Sequence, residues 1–118
     1  MLFRSALDRL ITSDGYEVEP LEGAAAYLTR DPPSAPACLV LDIRMPGMSG
    51  FELKTAIAGT PLDLPVVFIT AHGDEDVRSQ GLAAGAVDVL FKPLDELVLF
   101  DAIERALRMG RDKSQSGG

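Results

Sequence analysis

Apolar positions along the chain change their period several times, and each change marks an element. Phe3, Leu7, Leu10 and Ile11 recur at helical spacing, and Gly15 supplies a stop, so the pattern predicts a first helix. Residues 16–19 then alternate as a short, half-exposed strand, and an Ala-rich helix is expected over residues 22–29. The proline cluster of residues 31–36 is a loop, because each proline fixes φ and removes a donor.

From there the pattern turns to unbroken apolar runs, as strands buried on both faces require. The first, residues 37–41, ends at Asp42. A Pro46-Gly47 turn follows, and Ser49 with Glu52 forms a capping box for a helix that carries Phe51, Leu53 and Ile57 and stops at Gly59. A second run, residues 66–69, ends at Thr70. Asp74 caps a helix reaching about Ala84, with Gly85 as its stop. Gly81 within it costs roughly 1 kcal/mol relative to Ala, which marks this helix as the least stable. The third run, residues 87–91, ends at Lys92-Pro93. Asp95 then caps a long last helix to about Met109, with Leu97, Phe100, Ile103 and Leu107 among its apolar positions.

Strands alternating with helices through short loops predict an α/β fold with a parallel sheet covered by helices on both faces. No internal repeat is visible. Residues 1–109 read as one domain, and residues 110–118 (GRDKSQSGG) have the composition of a flexible tail or linker.

Composition narrows the partners. The 118 residues are 47% hydrophobic, enough for a core, and carry a formal net charge of −7. An acidic surface repels phosphate backbones and anionic lipid heads, so direct binding to nucleic acid or membrane is not expected. No apolar stretch approaches the roughly 20 residues that span a bilayer, and the N-terminus does not read as a signal peptide, so a cytoplasmic location is expected. Cys38 lies in an apolar run and reads as a buried thiol.

In an open parallel sheet, ligands bind beyond the carboxyl ends of the strands. Three such ends here carry Asp42, Thr70 and Lys92: a carboxylate, a hydroxyl and an ammonium from distant parts of the chain. Phosphorylation of a carboxylate calls for such a set, with a nucleophile, a cation to offset phosphoryl charge, and a hydroxyl to hydrogen-bond the product. Each residue alone is more simply a turn former, a packed strand end or a solvated lysine. Together they are far more specific.

The segments LVLDIRMPGMSGFEL around Asp42, VVFITAHGD around Thr70 and GAVDVLFKP around Lys92 resemble the signature segments of response-regulator receiver domains. The resemblance runs from about Phe3 to Met109 and is strongest for receivers that precede a helix-turn-helix output domain. It implies a flavodoxin-like (CheY-like) fold with sheet order 2-1-3-4-5. It implies Asp42 as phosphoacceptor from a histidine kinase, with Thr70, the Ala71 backbone N–H and Lys92 binding the phosphoryl group. It implies Mg²⁺ ligation by Asp42 and the Arg44 carbonyl, a cis bond before Pro93, and a switch built on Thr70 and position 89. A DNA-binding output domain in a longer parent protein is implied as well.

Two departures stand out. Receivers open on an apolar strand followed by an acidic pair that supplies most of the Mg²⁺ site, whereas this chain reads as opening on the first helix. Mg²⁺ favours near-octahedral oxygen ligation, so weak or absent metal binding and impaired phosphorylation are expected. Glu17, Glu22, Asp74 or Asp95 would replace the pair only by coincidence of geometry. Loss of the central strand would expose two sheet edges, which predicts a remodelled sheet completed by a homodimer or by exchange between chains. A start internal to a longer protein would reconcile the missing metal site with the retained Asp42, Thr70 and Lys92. The second departure is Val89, where receivers usually carry a swinging Tyr or Phe; valine is stiff at χ1, and Phe91 is expected on the opposite face of its strand. His72 reads as a loop residue.

Other function classes remain. A degenerate receiver would dock or dimerise without phosphorylation. A haloacid-dehalogenase-like phosphatase would use similar chemistry but needs an Asp two residues after the nucleophile, where this chain has Arg44. The leading expectation is a signalling module rather than an enzyme.

Overall fold

A computed structural model describes residues 2–4, 18–20, 24–31, 37–44, 47–71 and 75–116. Along these, β1 (Leu2–Arg4), β2 (Val18–Pro20), α1 (Ala24–Leu28), β3 (Cys38–Asp42), α2 (Gly50–Ile57), β4 (Val66–Thr70), α3 (Glu75–Ala83), β5 (Asp88–Phe91) and α4 (Glu96–Ser116) follow in order. The sheet has the order β2-β1-β3-β4-β5, and every pairing is parallel. This is the expected flavodoxin-like order.

The three apolar runs form the strands they predict. All five residues of β4 are buried, as are the first four of β3. Alternate side chains point to opposite faces, so each strand feeds two cores. Cys38, Val40, Val67, Ile69 and Leu90 meet Leu99, Ala102, Ile103 and Ala106 of α4. Leu39, Leu41, Val66, Phe68 and Val89 meet Tyr27 of α1 and Leu53 and Ile57 of α2 on the other side. Burial pushes the Cys38 thiol up to about 12, which keeps it protonated and inert, as its apolar setting suggested. Tyr27 is fully buried, yet its hydroxyl donates to the Leu62 carbonyl at 2.6 Å, so the polar tip is satisfied inside the core.

Local caps also follow the sequence. Ser49 Oγ accepts from the Glu52 N–H and Glu52 Oε1 accepts from the Ser49 N–H, both at 3.1 Å, completing the capping box. Asp95 Oδ1 accepts from the N–H groups of Leu97 and Val98 at 2.9 and 3.2 Å at the start of α4. Gly59 and Gly85, the expected stops, have φ of 77° and 98°. Asp74 and His72 lie outside the described residues.

The N-terminal expectation is corrected. Phe3 does not begin a helix: Leu2–Arg4 is a strand pairing with Val18–Pro20 on one side and Cys38–Val40 on the other. The rest of the expected helix lies outside the described residues. A strand held on both sides forms ladder bonds to two neighbours, whereas a first helical turn fixes three residues for one bond. The slot between β2 and β3 is thus filled within the chain. The sheet gives no reason for completion by a second chain.

Further shifts are smaller. Strand β2 is described over Val18–Pro20, one residue past its expected end, with residues 16 and 17 outside the described residues, and α4 runs on to Ser116 rather than ending near Met109. Nothing in the tail sequence before Gly117 forbids a helix, since Gly110 alone is tolerated. Leu97, one of the apolar positions of α4, is 80% exposed, and the buried stripe is set by Leu99, Ala102, Ile103 and Ala106 instead.

Candidate functional site

Asp42, Thr70 and Lys92 reach one edge of the sheet as a staircase. Asp42 pairs in register with Ile69, one residue short of Thr70, and Thr70 pairs with Phe91, one short of Lys92. The Lys92 N–H donates to the Thr70 carbonyl at 2.9 Å, so the β4–β5 ladder extends past the strand end to the lysine. Its ammonium lies 3.4 Å from Asp42 Oδ2. The sequence places these residues 50 positions apart, and the parallel register brings them together.

Asp42 is held from its own loop as well. The Arg44 N–H donates to Asp42 Oδ1 at 3.1 Å, so one oxygen faces the loop backbone and the other faces Lys92. The Ile43 N–H donates to the Ile69 carbonyl at 3.0 Å, and the Gly50 N–H to the Ile43 carbonyl at 2.8 Å. These bonds fold the loop back so that α2 starts beside the end of β3. Gly50 makes this approach possible: a Cβ there would stand 2.9 Å from Phe68 Cε1 and 3.2 Å from both the Asp42 carbonyl oxygen and Ile43 Cα. In the sequence Gly50 simply follows the Ser49 cap. Its neighbours belong to strands far away in the chain.

The side chain of Asp42 is 20% exposed and that of Lys92 is 38% exposed, so both can meet a solute. Thr70 is buried and lies in the strand row of Val66 and Phe68, while Asp42 lies in the row of Cys38 and Val40. Ala71, immediately beyond Thr70, is exposed. A small anion at the carboxylate would meet the Lys92 ammonium first. The hydroxyl belongs to the row on the opposite face of the sheet and meets the site only at the strand end.

Val89 is buried against the α2 side of the sheet with Phe68. Phe91 is two residues further on and so shares the face of Val89, which corrects the expected opposite placement. It is 37% exposed at the strand end and does not fill the core position. The Lys92-Pro93 peptide bond is cis, as the resemblance implied.

The metal expectation can be tested on the donors. Asp42 has its two oxygens engaged by the Arg44 N–H and Lys92. Strand β1 is followed in sequence by Ser5 and Ala6 rather than by two acidic residues. Among the described residues, no three His, Cys, Asp or Glu side chains gather in a way that could hold an ion. Among the described residues this donor set does not fit Mg²⁺, which needs several oxygen ligands. No helix among the described residues is long and apolar enough to cross a membrane.

Comparison with known proteins gives concordant findings. The family model for the response regulator receiver domain matches residues 1–104. Nodulation protein W of Bradyrhizobium diazoefficiens is 36% identical over 113 residues, covering 96% of this chain and 50% of that protein. Transcriptional regulatory protein FixJ of Rhizobium meliloti is 38% identical over 103 residues, covering 87% of this chain and 50% of that protein. The chain spans about half the length of these curated relatives. Among solved structures, response regulator StyR superposes with a TM-score of 0.84 at 40% identity, covering 98% of this chain and 62% of that one. The FixJ-N crystal structure superposes with a TM-score of 0.77 at 33% identity, covering 91% of this chain and 93% of that one.

Proposed function

The chain belongs to the response-regulator receiver family, and from that premise we propose that Asp42 is a phosphoacceptor whose phosphorylation is impaired. The observation that carries the reading is the Asp42–Lys92 contact of 3.4 Å at an edge where Thr70 also ends its strand. A carboxylate oxygen of Asp42 attacks the phosphorus of a histidine-kinase phosphohistidine. The P–N bond breaks, the imidazole leaves and takes up a proton, and an acyl phosphate remains on Asp42. Lys92 offsets the charge of the transferred group, with the Thr70 hydroxyl and the Ala71 N–H as further donors.

Such a group adds about −1.5 to −2 charge at pH 7, which draws Thr70 and its loop toward Asp42. Val89 is too stiff to follow by rotation, so the response passes through backbone and packing. The face made by α3, β5 and α4 is the surface we assign to output or homodimer contacts. The relatives' greater length, with FixJ a transcriptional regulatory protein, supports a DNA-binding output segment in a longer parent.

Impairment follows from the poor fit of the donor set to Mg²⁺, since phosphoryl charge is then offset by Lys92 with little help. In this reading the Arg44 carbonyl is at most a single additional metal ligand. The same observation favours a second reading, a receiver that docks partners without phosphorylation. A haloacid-dehalogenase-like hydrolase is disfavoured because Arg44 stands where such enzymes need an acid.

Incubation with acetyl phosphate, followed by intact-mass measurement with and without Mg²⁺, separates these readings. Slow labelling that is lost in Asp42→Asn and barely responds to Mg²⁺ is the expected result. Rapid, strongly Mg²⁺-dependent labelling would overturn the impairment, and labelling that survives in Asp42→Asn would overturn the site. Complete absence of labelling, with partner binding intact, would favour the docking reading.

A further inference from the structure

Helix α3 buries only Gly81 among its nine residues, and its Leu82 is 43% exposed. Apolar burial therefore does little to hold it. It nevertheless sits so close to β5 that a Cβ at Gly81 would stand 2.3 Å from Val89 Cγ2.

The attachment is polar. Arg78, one helical turn before Gly81, donates from Nη1 to the Val89 carbonyl at 3.1 Å and places Nη2 3.4 Å from Asp88 Oδ1. Asp88 Oδ2 accepts from Nη2 of Arg105 in α4 at 2.9 Å, and Asp101 Oδ2 accepts from the Nε of the same arginine at 3.0 Å. The Asp88 side chain is 13% exposed and both arginines are 41% exposed. Strand β5 is an edge of the sheet, so one carboxylate at its start can reach helices on both faces. Arg78 also covers an edge carbonyl that would otherwise be open to pairing.

We propose that Arg78, Asp88 and Arg105 form a charge latch that keeps α3 docked on β5 and ties that docking to α4. Charge-assisted hydrogen bonds of this kind are stronger than neutral ones, but their exposed arginines leave them open to screening by salt. Helix α3 is therefore the unit that opens first, while α2 and α4 stay seated on their apolar contacts. Opening would free β5 on the side that leads to Lys92. The inference rests on the contacts around Asp88 and is independent of whether Asp42 accepts phosphate.

Hydrogen–deuterium exchange on the whole chain tests it, with peptides covering α2, α3 and α4 followed separately. Asp88→Asn and Arg78→Gln should each speed exchange in α3 by about tenfold, with α2 unchanged. Arg105→Gln should do the same to α3 although it lies on the other face, and about 1 M salt should move the wild-type chain in the same direction. Should Asp88→Asn fail to fold, Arg78→Gln gives the same reading. Unchanged α3 exchange in the folded variants, or an equal rise in α2 and α3, would overturn the latch. An Arg105→Gln chain with undisturbed α3 would overturn the coupling between the helices.

Discussion

Helices α2 and α3 have similar lengths and follow the strands that end at Asp42 and Thr70, yet they are attached by different physics. Helix α2 seats Leu53 and Ile57 in the core and closes its start with the Ser49–Glu52 box. Helix α3 has a glycine in the equivalent role and relies on Arg78 and Asp88. Apolar burial is non-directional and is not screened by salt, whereas charge contacts depend on geometry and screening. The carboxylate end of the site therefore stands beside a fixed helix, and the hydroxyl end beside an adjustable one. In the proposed signalling, where the Thr70 side of the site moves toward Asp42, this division is useful.

Several substitutions would break or sharpen that contrast. The largest effect should come from Leu53→Ala, which removes a fully buried side chain of α2 and should cost about 2–5 kcal/mol in urea unfolding. A cost below that range would mean that α2 is less firmly seated than its burial implies.

Gly81→Ala comes next and is the more diagnostic. Helix propensity alone predicts a gain of about 1 kcal/mol. The contact with Val89 predicts instead a net loss of about 1–3 kcal/mol from overpacking. The double variant Gly81→Ala with Val89→Ala should recover part of that loss, and strict additivity of the two changes would count against the contact.

Ser49→Ala should cost about 1 kcal/mol by opening the capping box of α2. The smallest change is expected for Leu82→Ala on the exposed side of α3, within about 0.5 kcal/mol by the same unfolding measurement. A larger loss there would show that α3 has an apolar anchor after all.

The chain's own order of residues determined a good deal. The runs that became β3, β4 and β5 were legible because strands buried on both faces leave unbroken apolar sequence. Their ends at Asp42, Thr70 and Lys92 followed, and with them the members of the candidate site. The Ser49–Glu52 box and the Asp95 cap were legible because each bond spans three residues or fewer.

Tertiary structure decided the rest, wherever partners lie far apart in sequence. Phe3 suits a helix by its spacing from Leu7, and only the two neighbouring strands make Leu2–Arg4 an interior strand of the sheet. Gly81 looked like a weak point in a helix and is a point of close approach, because Val89 lies against it from another element. Nothing in the local sequence singles out Asp88. Its two arginines are 10 and 17 residues away, on helices that only the folded sheet brings to opposite sides of the same carboxylate. Local bonds and burial periods are written along the chain. Contacts between elements are set by register and packing, which no short stretch of sequence contains.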